Sequence, residues 1–202
     1  YVGHRHQAKK ALGQNFLKSA KALKDIIKAG DVSINDTILE IGPGKGALTE
    51  KLLGKAGKVI AVERDSELVD FLKEKFKEEI KSEKLKLIEG DILDFNTHAY
   101  VGHGQYKIVA NIPYYITGAI IRKFLESDFQ PERMVLLVQK EVAKRIVARD
   151  EKESILSISI KAYGKPIYID TVKKRYFSPE PKVDSAILLI ENISKKLFTE
   201  NK

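Results

Sequence analysis

Thr37-Ile38-Leu39-Glu40-Ile41-Gly42-Pro43-Gly44-Lys45-Gly46 is the stretch that decides how this chain folds. Its first half is β-branched and apolar, the composition of a buried strand. Its second half puts a glycine at every other position, which lets the backbone turn tightly and approach a ligand closely. A helical period follows, with Ala47, Leu48, Leu52 and Leu53 as its apolar positions. Strand, glycine turn and helix amino terminus in that order make a ligand cradle. A second strand, Lys58 to Val62, ends in Glu63 about 20 residues past the first glycine, where an acidic side chain typically takes ribose hydroxyls. A third, Leu85 to Ile88, leads into Glu89-Gly90-Asp91-Ile92, a further carboxylate at a strand end. Any one of these is often merely structural. Three in register point to a ligand site.

A fourth strand, Tyr106 to Ala110, delivers Asn111-Ile112-Pro113-Tyr114 at its carboxyl end, where open α/β sheets place their ligands. An Asn amide oxygen can accept a hydrogen bond from an exocyclic amine. Pro113 fixes the local backbone, so the Ile112 carbonyl can be held as a second acceptor. Tyr114 supplies a flat face on which a base can stack. Two acceptors and a ring suit a planar heterocyclic amine such as adenine. The plainer reading of the same residues is an Asn-x-Pro turn.

A nicotinamide-dependent dehydrogenase would use the same strand, glycine turn and acid. Here the glycines run G-x-G-x-G, whereas pyrophosphate-cradling loops run G-x-G-x-x-G. A nucleoside ligand without a pyrophosphate fits better. S-adenosyl-L-methionine is such a ligand, with its ribose at Glu63, its adenine amine at Asp91 and its methionine part at the glycine turn.

Helices are expected near residues 19–29, 45–54, 65–82, 117–126 and 139–149, with another around 154–163. Strands alternate with them at 37–41, 58–62, 85–88, 106–110 and 134–138. Ile167 to Val172 and Ser185 to Ile190 follow one another without a helix long enough for a crossover, so they should pair antiparallel at the sheet edge. The expectation is an α/β fold with a mostly parallel, seven-stranded, Rossmann-like sheet finished by an antiparallel hairpin. That is the class I S-adenosylmethionine-dependent methyltransferase architecture. Residues 1–202 are expected to form one catalytic domain, with a basic arm over residues 1–18.

The 202 residues, 43% of them hydrophobic, suffice for one good core. There are no cysteines, which excludes disulfides and thiolate metal sites. His4, His6, His98 and His103 lie in polar or glycine-flanked surroundings and read as solvated, so no metal site is expected. No apolar run approaches membrane-spanning length, and no signal peptide is visible; a cytoplasmic, monomeric protein is expected. The net charge of +8 favours a polyanionic partner. Lys73 to Lys84 alternates sign and reads as a solvated helix face. His4-Arg5-His6, Lys9-Lys10 and Lys18, then Lys140, Lys144, Arg145 and Arg149, and finally Lys173-Lys174-Arg175, are nearly uncompensated and are candidate phosphate contacts.

Six segments together carry a family resemblance. They are Leu12-Gly13-Gln14-Asn15-Phe16-Leu17, Glu40 to Gly46, Val62-Glu63-Arg64-Asp65, Gly90-Asp91, Asn111-Ile112-Pro113-Tyr114, and Phe177-Ser178-Pro179-Glu180-Pro181-Lys182-Val183-Asp184-Ser185-Ala186. In this order and spacing the chain resembles the ribosomal RNA adenine-N6,N6-dimethyltransferases of the kasugamycin-sensitivity type. The resemblance implies that Asn15, Leu17, Gly42, Gly44, Glu63, Asp91, Ile92 and Asn111 bind S-adenosyl-L-methionine. It implies that Asn111, Ile112, Pro113 and Tyr114 hold the target adenine, with Phe177 facing Tyr114 across the base, and that Asn111, Tyr114 and Phe177 serve the reaction.

The activity implied is dimethylation of two adjacent adenines near the 3′ end of 16S ribosomal RNA, on an immature 30S-type particle. Members of the family usually continue into a small helical carboxy-terminal domain, which this chain, stopping at Lys202, is expected to lack. Macrolide-resistance methyltransferases of large-subunit 23S RNA share most of these segments. Pro181 to Ser185 and Gly13 to Leu17 lean towards the small-subunit branch. A non-enzymatic alternative also stands: a ribosome-assembly factor in which RNA binding matters and catalysis is secondary.

Overall fold

The computed structural model describes residue 9 and residues 12–102, 104–147 and 153–196. In chain order they form β1 (Phe16–Leu17), α1 (Ala20–Ala29), β2 (Thr37–Ile41), α2 (Ala47–Leu53), β3 (Lys58–Glu63), α3 (Ser66–Lys75), α4 (Lys77–Lys81) and β4 (Leu85–Glu89). They continue as α5 (Thr97–Val101), β5 (Lys107–Asn111), α6 (Thr117–Glu126), β6 (Arg133–Gln139), α7 (Lys140–Val147), α8 (Ile155–Tyr163), β7 (Lys165–Val172), β8 (Phe177–Ser178) and β9 (Ser185–Glu191). Short 3-10 turns occupy Tyr114–Ile116 and Lys174–Tyr176.

Seven strands make one sheet in the order β4-β3-β2-β5-β6-β9-β7. The first five are parallel, and β9 runs antiparallel between β6 and β7. The edge hairpin and the mostly parallel sheet are therefore as the sequence predicts. Strand order reverses between β2 and β5, so the crevice opens at their carboxyl ends. Ile41 lies opposite Val62 on one side and Ala110 on the other, which brings Gly42, Glu63 and Asn111 to a common edge.

Alternation along the central strands feeds two cores. Leu39, Ile41, Ile108 and Ala110 pack with Ile120 and Phe124 of α6 and Ile160 of α8 on one face. Ile38, Val59, Val109 and Val135 pack with Ile26 of α1, Leu52 of α2 and Leu72 of α3 on the other. Strands buried on both faces read as near-continuous apolar runs, broken in β2 only by the buried Glu40, which is why their positions are plain in the sequence. Side-chain caps fix three helix starts: Ser19 accepts from Ala22 N at 3.2 Å, Asp65 from Glu67 N at 3.2 Å and Ser154 from Ser157 N at 3.1 Å.

Four differences from the sequence expectation matter. The helix expected over 65–82 breaks at Phe76, whose φ of −114° and ψ of 32° leave the helical region. That break seats the buried Phe76 ring against the glycine turn, its Cε2 only 2.5 Å from where a Cβ on Gly46 would stand. Lys45 lies in the turn, so α2 starts two residues later than expected. The short helix α5 and the two-residue ladder between β1 and β8 carry too little periodicity to be read from sequence. Among the described residues no helix is long and apolar enough to cross a membrane.

Candidate active site

A cavity of about 330 Å³ occupies the crevice at the switch point. Its floor is the glycine turn. Its walls are the ends of β3, β4 and β5, and the segment Leu12–Lys18 crosses in front of it. The size suits a nucleoside-like ligand.

Gly42, Gly44 and Gly46 have φ of 65°, 59° and 76°, the left-handed conformations that glycine adopts freely. A Cβ on Gly44 would lie 2.9 Å from Phe16 Cδ1, so the bare backbone also makes room for the crossing segment. Glu63 ties this turn to β3. Its Oε2 accepts from Gly44 N at 3.0 Å, and its Oε1 accepts from Arg64 N at 2.9 Å and Asp65 N at 3.0 Å. Burial raises the Glu63 pKa despite these three amides. One strand away, Glu40 is 1% exposed, its Oε2 has no hydrogen-bond partner among the described residues, and burial pushes its pKa up to about 8.

At the end of β5, Asn111 Nδ2 donates to the Asn15 carbonyl at 3.0 Å, and Asn15 Nδ2 donates in turn to the Gly13 carbonyl at 3.1 Å. With its amide nitrogen thus engaged, Asn111 keeps Oδ1 as the acceptor available to a ligand. Tyr114 is held by a 2.7 Å hydrogen bond between its hydroxyl and Ser185 Oγ, and burial raises its pKa. Asn111, Ile112, Pro113 and Tyr114 all line the cavity. So do the expected cofactor residues Asn15, Leu17, Gly42, Gly44, Glu63, Asp91 and Ile92. Asp91 accepts from Leu93 N at 2.9 Å and lies 3.3 Å from the Arg64 guanidinium.

Other expected residues are placed differently. Phe177 is 3% exposed and packs in the core with Leu17 and Leu23; its neighbour Ser178 lines the cavity instead. The cause is the short ladder that pairs Leu17 with Phe177 and Phe16 with Ser178, which turns Phe177 inward. Lys9 is no open phosphate contact: its Nζ sits 2.7 Å from Asp65 Oδ1 and 3.0 Å from Glu67 Oε1. Gln14 joins that clip by donating to Asp65 Oδ2 at 2.7 Å. Lys144 pairs with Glu141 at 3.5 Å, Lys173 with Asp184 at 3.1 Å and Lys174 with Glu180 at 2.9 Å, so these cations are partly compensated. Arg145 is exposed, and Lys140 begins α7 with its backbone N–H on the Asp184 carbonyl. Lys10, Arg149, His4, Arg5, His6 and His103 lie outside the described residues. Among the described residues no cluster of three or more His, Asp or Glu could hold a metal ion.

Sequence reasoning gave no role to Gln14, Arg64, Tyr115 or Ser185 in the site. Ser185 reaches it from β9 across 71 residues, a distance that spacing cannot reveal.

This geometry has parallels among known proteins. Residues 5–201 match the model of the ribosomal RNA adenine dimethylase family. A ribosomal RNA small subunit methyltransferase A from Dehalococcoides mccartyi is 48% identical over 93% of this chain and 64% of its own length. One from Fusobacterium nucleatum is 41% identical over 91% of this chain and 69% of its own. The chain thus spans about two thirds of the curated relatives it matches. The dimethyladenosine transferase from Plasmodium falciparum superposes with a TM-score of 0.78 at 32% identity, covering 91% of this chain and 65% of that one. The 23S rRNA methyltransferase ErmE gives 0.81 at 28%, covering 91% and 72%. With the family match running through every strand that builds the cavity, this chain belongs to the ribosomal RNA adenine dimethylase family.

Proposed function

We propose that the chain transfers methyl groups from S-adenosyl-L-methionine to the N6 amine of adenines in ribosomal RNA. The substrate in this reading is small-subunit RNA in an immature 30S-type particle, and the product is dimethyladenine at two adjacent positions near the 3′ end of 16S RNA. The step belongs to ribosome biogenesis in the cytoplasm, and the protein acts as a monomer. The observation that carries the reading is the orientation of Asn111: its Nδ2 is engaged by the Asn15 carbonyl at 3.0 Å, beside Ile112, Pro113 and Tyr114 in the same cavity as Glu63 and the glycine turn.

The residues present fit the cofactor. Glu63 offers carboxylate oxygens to ribose hydroxyls, Asp91 is an acceptor for an adenine amine, and the bare glycine turn admits the amino-acid end. When bound, the cofactor supplies an electrophilic sulfonium methyl.

The protein's part is to prepare the amine. An adenine N6 lone pair is delocalised into its ring, so the amine is a poor nucleophile. Hydrogen bonds from its two N–H groups to Asn111 Oδ1 and the Ile112 carbonyl favour a pyramidal nitrogen with an available lone pair. Positioning and electrostatics then matter more than a strong general base. The base must leave its stack to reach these acceptors, and the Tyr114 ring offsets part of that cost, stacking being worth about 1–3 kcal/mol per base. A second methylation asks the pocket to tolerate the loss of one N–H bond.

The test is a methyl-transfer assay on immature small and large subunits, followed by mass spectrometry of RNA digests and mapping of the base. Dimethyladenine in small-subunit RNA is expected. A mark only in large-subunit RNA would move the chain to the macrolide-resistance type of activity, and methylation of cytosine or guanine alone would refute the adenine reading.

A further inference from the structure

Tyr115 stands apart from the residues above. It follows Tyr114 in the 3-10 turn Tyr114–Ile116, where successive side chains diverge by about a third of a turn. Tyr114 is drawn towards β9 by Ser185, whereas Tyr115 is 60% exposed and still lines the mouth of the cavity. Its hydroxyl has no hydrogen-bond partner among the described residues.

The ring is nevertheless seated. Gly13 has φ of 62°, and a Cβ there would stand 3.3 Å from Tyr115 Cε1, 3.5 Å from Cδ1 and 3.5 Å from Pro113 Cβ. One edge of the ring therefore rests on the Gly13 backbone, with the remainder in solvent. Exposed Lys18 and Lys45 also line this cavity, Lys45 from the glycine turn with its Nζ 4.9 Å from the centre of the Phe16 ring, so their positive charge favours a polyanionic strand nearby. The expected cofactor contacts, Glu63 and Asp91, lie at the ends of β3 and β4, on the far side of β2 from Tyr115.

We infer that Tyr115 is a stacking platform for the nucleotide next to the target adenine in the RNA strand. The inference rests on the adenine-methylation reading above. Extruding a base strips its neighbour of one stacking partner. An aromatic face at the rim replaces that partner, so Tyr115 favours the extruded state without touching the reacting amine. It thereby acts as a positioning and specificity residue, preferring substrates whose flanking nucleotide stacks well.

The test uses the whole chain, with an RNA oligonucleotide spanning the mapped adenine and 2-aminopurine substituted in turn at each adjoining position. Tyr115→Ala and Tyr115→Leu should each lower kcat/KM by roughly 5- to 30-fold, within the range expected for one lost stack, while S-adenosyl-L-methionine affinity stays at the parent value. Tyr115→Phe should restore the rate, since the ring and not the hydroxyl is required. Quenching of 2-aminopurine at one adjoining position should be present in the parent and Tyr115→Phe and absent in the other two variants. Equal rates and equal quenching across all four proteins would overturn the inference while leaving adenine methylation intact. Lost cofactor affinity in Tyr115→Ala would overturn it in favour of a cofactor contact. A parent that methylates no adenine in the oligonucleotide or in immature subunits would remove the underlying reading and this inference together.

Discussion

Asn111 and Asn15, 96 residues apart, are joined by a 3.0 Å hydrogen bond from the Asn111 side-chain amide to the Asn15 carbonyl. The bond does two things at once. It pins the Leu12–Lys18 segment across the cavity, and it fixes which end of the Asn111 amide faces a ligand. Asn111→Ala removes the acceptor and the pin, and should cut single-turnover methylation by about 10²–10³-fold. Asn111→Asp keeps an oxygen but sets a carboxylate against the Asn15 carbonyl, so it should be nearly as impaired. Retention of the parent rate by Asn111→Asp, measured with a folded protein by circular dichroism, would show that the Asn15 bond is incidental.

Glu63 should matter to cofactor affinity and to the shape of the turn together. Calorimetric titration of Glu63→Ala with S-adenosyl-L-methionine should show binding weakened by about 1.5–3 kcal/mol, the value of a hydrogen bond to a charged group. Glu63→Gln retains one acceptor for Gly44 N–H and should fall between the two. Parent-like affinity in Glu63→Ala would sink the ribose assignment.

Stability should fall as pH rises through neutrality, and Glu40 is the main reason. Unfolded, its carboxyl titrates near 4.5; folded, burial pushes it up to about 8. Its contribution is therefore full below about pH 4.5, declines across the interval and is lost above about 8. Burial raises Glu63 in the same direction, which adds to the slope with the same sign. Thermal melts from roughly pH 5 to 9 should show Glu40→Gln close to the parent at the acid end and clearly more stable at the alkaline end. Parallel melting curves for the two proteins would contradict a buried, neutral Glu40.

Two glycines should respond to alanine with opposite sign. Gly46 has φ of 76° and Phe76 Cε2 within 2.5 Å of a built Cβ, so Gly46→Ala should cost about 2–5 kcal/mol through strain and overpacking. Gly118 lies in α6 with ordinary φ and nothing within 4 Å, so Gly118→Ala should stabilise by about 0.5–1 kcal/mol. Denaturant titration of both variants checks the pair.

Lys9 and Arg145 should separate on salt dependence. Lys9 is clipped to Asp65 and Glu67, whereas Arg145 is exposed. Arg145→Glu should reduce the slope of log affinity for ribosomal RNA against log salt by about one or more, and Lys9→Ala should leave it unchanged. Lys9→Ala should instead speed cofactor release, because it loosens the segment that crosses the cavity. A flatter slope in Lys9→Ala would restore it as a phosphate contact.

The strands and their order were legible because β2, β3, β5 and β6 are buried on both faces and so appear as near-continuous apolar runs, with β2 leading into Gly42, β3 ending in Glu63 and β5 ending in Asn111. Asn111 and Glu63 could be named because each stands at such an end, and Asp91 because it follows the partly buried edge strand β4. What the sequence hides is the direction a side chain takes once a second chain segment reaches it. Phe177 is aromatic and sits in a recognisable segment, yet its pairing with Leu17 turns it into the core. Lys9 looks like an open cation in a basic arm, and only the fold brings Asp65 and Glu67 to it. Phe76 interrupts a helix whose periodicity runs on regardless, because the glycine turn needs its ring.

The position of β9 carries a temporal consequence. Strand β9 is the last strand among the described residues but lies inside the sheet between β6 and β7, and its first residue, Ser185, holds the Tyr114 hydroxyl. A nascent polypeptide still short of Ser185 has already emitted the glycine turn, Glu63 and Asn111, yet its tyrosine has no anchor and β6 has an open edge. Domains fold as units while synthesis proceeds. The cavity's full set of walls and the Tyr114 anchor therefore come together only once translation has passed Glu191 and β9 can enter the sheet.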